Sequence, residues 1–354
     1  MAMITDGQRH KNGFEDNGIE CRPWSDLPID ILDIIARKLD IVDHVSFRAA
    51  CKNWREIQGL PLVNAPWMMG HRWDVDENDE NVYSLCSFSL LTAKWNHVTR
   101  NKFEREGFRD LYGAAICASK HGWLLLQKSN LSFFYNPYTN SIIKLPDLNL
   151  SFNRTTFSSV PSSPDCFCFA IQSSKDSLKI YIHVCQPSDH KWTTFELDGI
   201  RKAVEDVVYC NGTFYCVFSG GVLGGFDLAS REWSFLNILS IPEASFWSRA
   251  HMMESHGQLW LVCPSNCFEV FKFNWLSQLW VKTHTLGCRA LFLGCTSFLV
   301  SAEGETSSFA DKIYYHSDYV SSYYSMETKQ SYRCESTPPR LGTQRIWIQP
   351  PEQV

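Results

Sequence analysis

A pattern of short strands and turns recurs through most of this 354-residue chain. Each copy contains runs of alternating apolar residues separated by Gly, Asn, Asp and Ser clusters. The copies end at about positions 95, 143, 192, 233, 280 and 329, so that successive ends are 41 to 49 residues apart. That period is typical of a four-stranded propeller blade, whereas a sandwich of this size would be unusual for one domain. We therefore expect an all-β propeller over residues 61–350 with about six blades, and five or seven stay open because the first and last copies are degenerate.

The segment before the repeats, residues 23–60, has helical rather than alternating spacing. Its apolar residues cover more than one face of a first helix, at Ile31, Leu32, Ile34, Ile35 and Leu39. Asp26 is expected to cap this helix. Since a module of about forty residues rarely stabilises itself by burial alone, its apolar surface is expected to dock either on the rest of the chain or on another molecule.

Three features of this segment occur together: Leu27-Pro28, the apolar stripe and the run FRAACKNWR from Phe47 to Arg55. Together they resemble an F-box, most closely the plant form that ends in FRxxCxxWR. The resemblance implies a small all-α module, residues 23–60, that binds a Skp-type adaptor and through it a cullin-RING (SCF) ubiquitin ligase. It also implies the adaptor-binding residues, which are Leu27, Pro28, Ile31, Leu32, Ile34, Ile35, Leu39, Val45, Cys51 and Trp54.

The repeats carry further marks in a fixed order behind this segment. These marks are Asn136-Pro137-Tyr138-Thr139, Leu145-Pro146, Phe226-Asp227-Leu228, Leu291-Phe292-Leu293-Gly294, Lys312-Ile313-Tyr314-Tyr315 and Ile346-Trp347-Ile348. Their order resembles the plant KIB-type β-propeller that follows an F-box, and implies a receptor for a protein substrate. The better-known propeller signatures do not fit, because Trp73-Asp74 is a lone WD dipeptide and double glycines occur only at 220–221 and 224–225.

Composition limits the partners and the location. The net charge of −5 is mild and no basic stripe stands out, so we expect no nucleic-acid partner. The sequence contains no run of about eighteen apolar residues, so we expect no contact with a membrane. Residues 1–22 are polar and have no apolar signal core, so we expect a disordered leader and a protein of the cytoplasm or nucleus. The fourteen cysteines are then expected to be reduced thiols.

Candidate chemistry in the propeller is weak. Asp206 and Asp227 are the carboxylates that a propeller enzyme would draw into its channel, but such residues more often make turn hydrogen bonds. Cys263 and Cys267 have a metal-like spacing without a tight second pair. The acidic segment Asp74–Asn81 lacks the glycine and glutamate that an EF-hand loop requires. We therefore expect no catalytic residue, no metal and no cofactor.

The tryptophans that close four copies, Trp95, Trp192, Trp233 and Trp280, are expected to pack between blades, because a ligand platform would not repeat once per blade. Recognition is expected in surface loops. The segments least like the repeat are Asp74–Asn81, Asn149–Asp165, Gly220–Gly225, Pro242–Arg249 and Gly304–Ala310.

These observations favour a substrate receptor of an SCF ubiquitin ligase. In this interpretation the F-box docks on the adaptor and the propeller recruits the target. One alternative keeps the F-box and has the propeller bind a small molecule or a glycan. Another is a propeller enzyme with an incidental N-terminal hairpin. Propellers avoid open edges by closing the ring, so the strand expected at Arg345–Gln349 is predicted to return to a blade near the N-terminal side.

Overall fold

The structure is a computed structural model of the chain. It describes residues 24–39, 43, 47–48, 50–57, 66–75, 81–89, 94–101, 108–111, 113–137, 141–148, 152–237, 241, 249–265, 267–317, 320–334 and 345–349. The expected leader, residues 1–22, lies outside this set. Within the described residues, no helix is both long enough and apolar enough to span a bilayer.

The N-terminal segment is helical, as its spacing predicts. A 3-10 helix at Trp24–Asp26 precedes α1 (Ile29–Lys38), and α2 (Lys52–Arg55) follows. The cap of α1 is Pro28, whose carbonyl accepts the N–H groups of Ile31 (3.0 Å) and Leu32 (3.1 Å). The prediction that Asp26 caps this helix was therefore wrong. Asp26 lies inside the 3-10 turn, and proline sets the start of α1.

The rest of the described chain is almost entirely β structure, apart from a short helix, α3 (Phe108–Leu111), and a 3-10 helix at Gly304–Phe309. The first twelve strands are β1 (Trp67–Val75), β2 (Asn81–Ser89), β3 (Lys94–Asn101), β4 (Ala115–Lys120), β5 (Trp123–Lys128), β6 (Leu131–Asn136), β7 (Ser141–Lys144), β8 (Arg154–Phe157), β9 (Cys168–Gln172), β10 (Lys179–Cys185), β11 (Thr193–Asp198) and β12 (Val204–Cys210). The remaining strands are β13 (Thr213–Phe218), β14 (Val222–Asp227), β15 (Trp233–Asn237), β16 (His251–Ser255), β17 (Gln258–Pro264), β18 (Phe268–Asn274), β19 (Leu279–Thr283), β20 (Arg289–Phe292), β21 (Phe298–Ser301), β22 (Lys312–Ser317), β23 (Val320–Ser325), β24 (Gln330–Arg333) and β25 (Arg345–Ile348).

Five sheets have the four antiparallel strands of a propeller blade. They are sheet I (β25-β1-β2-β3), sheet II (β4 to β7), sheet III (β8 to β11), sheet IV (β12 to β15) and sheet V (β16 to β19). Sheet VI departs from this pattern, because it has five strands in the order β21-β20-β22-β23-β24, and β20 pairs with β22 in parallel. The predicted number of about six blades is thus corrected to five, a number that the sequence had left open, because the last sheet does not follow the blade pattern.

The positions that close the sequence repeats fall at the outer side of the sheets. Positions 95, 143, 233 and 280 lie within β3, β7, β15 and β19, and positions 192 and 329 directly precede β11 and β24. The opposite edge of each sheet faces its neighbours, since β25, β4, β8, β12, β16 and β21 contact one another in that order. The repeats therefore surround a common axis.

Apolar clusters between adjacent sheets hold the ring together. One cluster joins sheets I and II around Met69 and Leu124, and similar clusters join each following pair. Between sheets VI and I, Phe292 packs against Trp347 with ring centroids 5.1 Å apart. The ring is therefore closed by side-chain packing.

The last strand completes the first sheet, as the sequence predicts. β25 pairs antiparallel with β1, from Arg345 opposite Gly70 to Ile348 opposite Trp67. Ile346 and Ile348 enter the cluster with sheet II, whereas Trp347 enters the cluster with sheet VI. This alternation is the two-residue period of a strand that is buried on both faces.

Candidate functional site

The helical segment has a small apolar core of its own. Leu32 and Ala36, one turn apart on α1, are buried together with Ile57, and Leu27 and Phe47 pack around them. The described residues in this cluster all come from the segment between positions 27 and 57. The propeller clusters contain none of them.

The FRxxCxxWR run holds this segment together internally. The rings of Phe47 and Trp54 stack with centroids 4.5 Å apart. The Arg48 guanidinium donates to the carbonyl of Arg55 through Nε (3.3 Å) and a terminal nitrogen (3.1 Å), which satisfies an acceptor at the end of α2. These motif residues therefore fix the geometry of the segment.

An open apolar surface remains on the other side of α1. Ile31 is 44% exposed and Ile34 is 53% exposed, and Pro28 is exposed beside them. Two further apolar residues at the start of the segment are exposed, Trp24 at 74% and Ile29 at 61%, and the sequence did not single them out. Their signal was available, because both are apolar residues beside the Leu27-Pro28 motif. We call Trp24, Pro28, Ile29, Ile31 and Ile34 the open apolar face.

The other residues predicted to bind the adaptor are buried, half-buried or outside the described residues. Leu32 is 2% exposed and belongs to the core of the segment, so its side chain does not reach the surface. Val45 lies outside the described residues. The half-buried members of the predicted set are Leu27, Ile35, Leu39, Cys51 and Trp54.

A second candidate site is a pocket on the axis of the ring. It is an open pocket of about 740 Å³, where the ends of the inner strands meet. All six sheets contribute to its wall, through Gln349, Lys120, Thr156, Asn211, His256 and Ser301 among others. Its size lies within the range of small-molecule sites.

Three hairpin turns of one type border this pocket. The two-residue turns His121-Gly122, Asn211-Gly212 and His256-Gly257 have positive φ at both residues, which is the conformation of a type I′ turn. They are the turns that begin three of the sequence repeats. The residue at the first position of each turn lines the pocket. The recurrence of this turn in the sequence repeats was the signal that could have identified these pocket residues.

The charges around the pocket are few and of both signs. Lys120 Nζ donates to the carbonyl of Ser158 at 3.4 Å and lies 5.5 Å from the centre of the Tyr209 ring. Glu254 accepts the Gly257 N–H at 2.8 Å. Burial and the neighbouring Lys120 lower the pKa of His121 to about 4, so this side chain is neutral at neutral pH.

The two carboxylates singled out in the sequence have structural roles, and neither lines the pocket. Asp206 accepts the N–H groups of Val207 and Met252, both at 2.9 Å, and so connects β12 to β16. Burial raises the pKa of Asp206 to about 6. Asp227 accepts the Ser230 N–H at 2.8 Å, and the hydrogen bonds from Ser230 lower its pKa. The predicted turn and blade hydrogen bonds are confirmed at both positions.

The closing tryptophans connect blades, as predicted. Trp192 Nε1 donates to the Pro146 carbonyl of the preceding repeat at 2.8 Å, and Trp280 Nε1 donates to the Gly221 carbonyl at the same distance. Trp233 packs on the cluster between sheets III and IV. The side chain of Trp95 lies outside the described set.

The cysteines show no built metal site in the described part of the chain, where no group of three His, Cys, Asp or Glu side chains could hold an ion. Cys263 is buried and Cys267 exposed, and both are free thiols. Burial raises the pKa of Cys263 well above its usual range. This thiol is therefore protonated at neutral pH and behaves as a small apolar side chain.

One candidate recognition loop was wrong. Gly220–Gly225 consists of a Gly-Gly turn and the start of β14, and residues 221–225 are buried. Gly304–Ala310 is largely a 3-10 helix, and Asn149–Asp165 exposes Val160. Residues 76–80 and 242–248 of the other two segments lie outside the described residues.

Two family models match the sequence. One is the F-box domain, at residues 24–62, and the other is the KIB1-4 beta-propeller, at residues 87–334. The F-box/kelch-repeat protein At1g57790 of Arabidopsis thaliana is 25% identical over 351 residues, which cover 94% of this chain and 96% of that protein. The F-box protein At3g56470 of the same plant is 25% identical, over 92% of this chain and 88% of its own length. A third, the F-box protein At4g00893, is 29% identical over 60% of this chain and 53% of its own length.

Proposed function

Since this chain belongs to the KIB1-4 beta-propeller family and is an F-box protein of the plant type, we propose that it is the substrate-recognition subunit of an SCF ubiquitin ligase. The F-box docks on a Skp-type adaptor, and the adaptor connects it to a cullin-RING ligase. The propeller recruits a protein substrate for ubiquitination. The complex works in the cytoplasm, the nucleus or both.

The open apolar face is the observation that carries this proposal. Trp24, Ile29, Ile31 and Ile34 expose between 44% and 74% of their surface on one short segment, although the chain buries Leu32 and Ala36 nearby. Several large exposed apolar side chains on so short a segment are typical of a protein interface. Fully burying an apolar side chain contributes about 1.5–3 kcal/mol, and roughly half of this remains when the side chain is already half-buried. Four such side chains together still form an adequate anchor for an adaptor.

The receptor needs no catalytic residue for this function. Holding a substrate lysine beside a charged conjugating enzyme makes a bimolecular reaction nearly intramolecular. F-box proteins are generally adaptors of this non-catalytic kind.

Removing part of the open apolar face tests the proposal. The double variant Ile31→Ala with Ile34→Ala should weaken binding to the purified Skp-type adaptor by a factor on the order of ten or more, because interface anchors cost about 2 kcal/mol each when truncated. The thermal unfolding of the chain should not change, since both side chains are exposed. Binding is measured by calorimetry with the full chain.

A matched control is available on the propeller. Leu276 is 98% exposed and Val281 is 50% exposed at the outer side of sheet V. The double variant Leu276→Ala with Val281→Ala removes at least as much exposed apolar area and should leave adaptor binding unchanged. Equal loss in both double variants, or unchanged binding in the first, would contradict the proposal.

A further inference from the structure

The axial pocket has hydrogen-bonding groups for which the described residues supply no partner. The Tyr209 hydroxyl, the Asn211 amide and the hydroxyls of Ser255 and Ser301 all belong to residues that line it. Within the described part of the structure, no other group donates to or accepts from these four side chains. Each of these groups both donates and accepts hydrogen bonds and is uncharged at neutral pH.

Several other polar groups of the wall are bonded within the protein. Ser297 Oγ lies 3.1 Å from His251 Nδ1, and Thr296 Oγ1 accepts the Ser119 N–H at 2.9 Å. The two ionic side chains, Lys120 and Glu254, are of opposite sign, and each is held by a group of the chain. The pocket therefore presents balanced charge together with unused neutral hydrogen-bonding capacity.

The unused groups are held in fixed positions. Tyr209 lies on β12 and packs against Phe214 with centroids 5.0 Å apart, and Ser255 is the last residue of β16. Asn211 occupies the first position of a type I′ turn, with φ of 47°. A ligand would thus meet a preformed set of donors and acceptors, which reduces the entropic cost of binding.

We propose that the axial pocket binds an uncharged, polyhydroxylated small molecule of the saccharide or polyol class. Hydroxyl groups of such a ligand pair with Tyr209, Asn211, Ser255 and Ser301 and replace the water that otherwise satisfies them. This site is separate from the open apolar face. It adds a small-molecule ligand to the function proposed above and does not depend on it.

The test is direct binding to the full chain, with no adaptor present. Glucose, xylose, sucrose and myo-inositol serve as neutral probes, and glucuronate and glucose 6-phosphate serve as charged ones, in saturation-transfer NMR and calorimetry. At least one neutral probe should bind saturably and more tightly than either charged probe. Because the adaptor is left out, failure of the ligase proposal does not affect this result.

Two conservative variants identify the site. Tyr209→Phe removes one hydroxyl and keeps the ring packing, and Ser255→Ala removes another. Each should weaken the neutral probe by roughly two- to tenfold, the range for one neutral hydrogen bond. Tyr332→Phe, a matched change on the outer strand β24, should have no effect.

Three outcomes overturn the proposal. One is the absence of saturable binding by every neutral probe up to roughly 10 mM. Another is tighter binding of the charged probes than of the neutral ones. The third is binding that Tyr209→Phe and Ser255→Ala leave unchanged.

Discussion

Gly224 on β14 shows how one residue sets the packing of a blade. A Cβ atom built on Gly224 would lie 2.3 Å from Cζ2 and 2.6 Å from Cη2 of Trp233, distances that real Cβ atoms essentially never show. Trp233 packs on the cluster between sheets III and IV. The double glycine at 224–225 therefore includes one position where the missing side chain makes room for a closing tryptophan.

We predict that Gly224→Ala lowers the free energy of unfolding by about 1–3 kcal/mol, the usual cost of overpacking a core. The sign is informative, because alanine in place of glycine inside a strand is otherwise favourable by roughly 0.5–1 kcal/mol. Urea denaturation of the two proteins measures the difference. The cost should shrink when the same change is made beside Trp233→Leu, because the indole is then absent. An equal cost in both backgrounds would show that the indole is not the cause.

Some residue roles could be predicted from the sequence and others could not. Asp206 and Asp227 could be assigned to structural hydrogen bonds, because Asp side chains commonly accept hydrogen bonds from backbone N–H groups. Helical spacing identified apolar residues of α1. It could not show which of them pack into the core of the helical segment and which stay exposed. In the structure, Leu32 lies in this core. Ile29, which the sequence did not single out, is exposed.

At the scale of elements, the last strand closes the molecule. β25 supplies the inner edge of sheet I, and Ile346, Trp347 and Ile348 are each buried to 1% exposure or less. They contribute to two of the clusters between sheets, on either side of sheet I. Without β25, an unpaired edge and two open apolar clusters would face solvent.

Truncation tests this closure. We expect a chain ending at residue 343 to lose the soluble propeller, because three large buried side chains and the pairing with β1 are removed together. A chain ending at residue 350 keeps β25 and should remain soluble with an unchanged thermal transition. Expression yield, size-exclusion chromatography and circular dichroism compare the two. A folded, monomeric product ending at 343 would contradict the closing role of β25.

The repeat period located the outer strands well, because each copy closes at a similar packing position. It did not reveal the different order of sheet VI. There the 3-10 helix at Gly304–Phe309 connects β21 to β22, and β22 pairs in parallel with β20. Parallel and antiparallel strands share the same two-residue alternation, so the pattern of apolar residues cannot distinguish these orders.

At the scale of the whole molecule, the described apolar clusters fall into two groups. The cluster of Leu32, Ala36 and Ile57 belongs to the helical segment alone, and the other six join sheets of the ring. A change inside one group should therefore have little effect on the other. The helical segment and the ring should respond separately to matched core substitutions.

We predict that Leu32→Ala weakens adaptor binding without lowering the unfolding temperature of the propeller. The side chain is 2% exposed, and deleting a buried leucine costs about 2–5 kcal/mol, which a module of about forty residues cannot absorb. Hydrogen exchange should rise in peptides from residues 24–57 and stay constant in the sheets. The matched change Leu261→Ala, in the cluster between sheets IV and V, should do the reverse and leave adaptor affinity intact. If either substitution raised hydrogen exchange in both parts, the F-box and the propeller would form one cooperative unit. The conformation of the open apolar face would then depend on the ring.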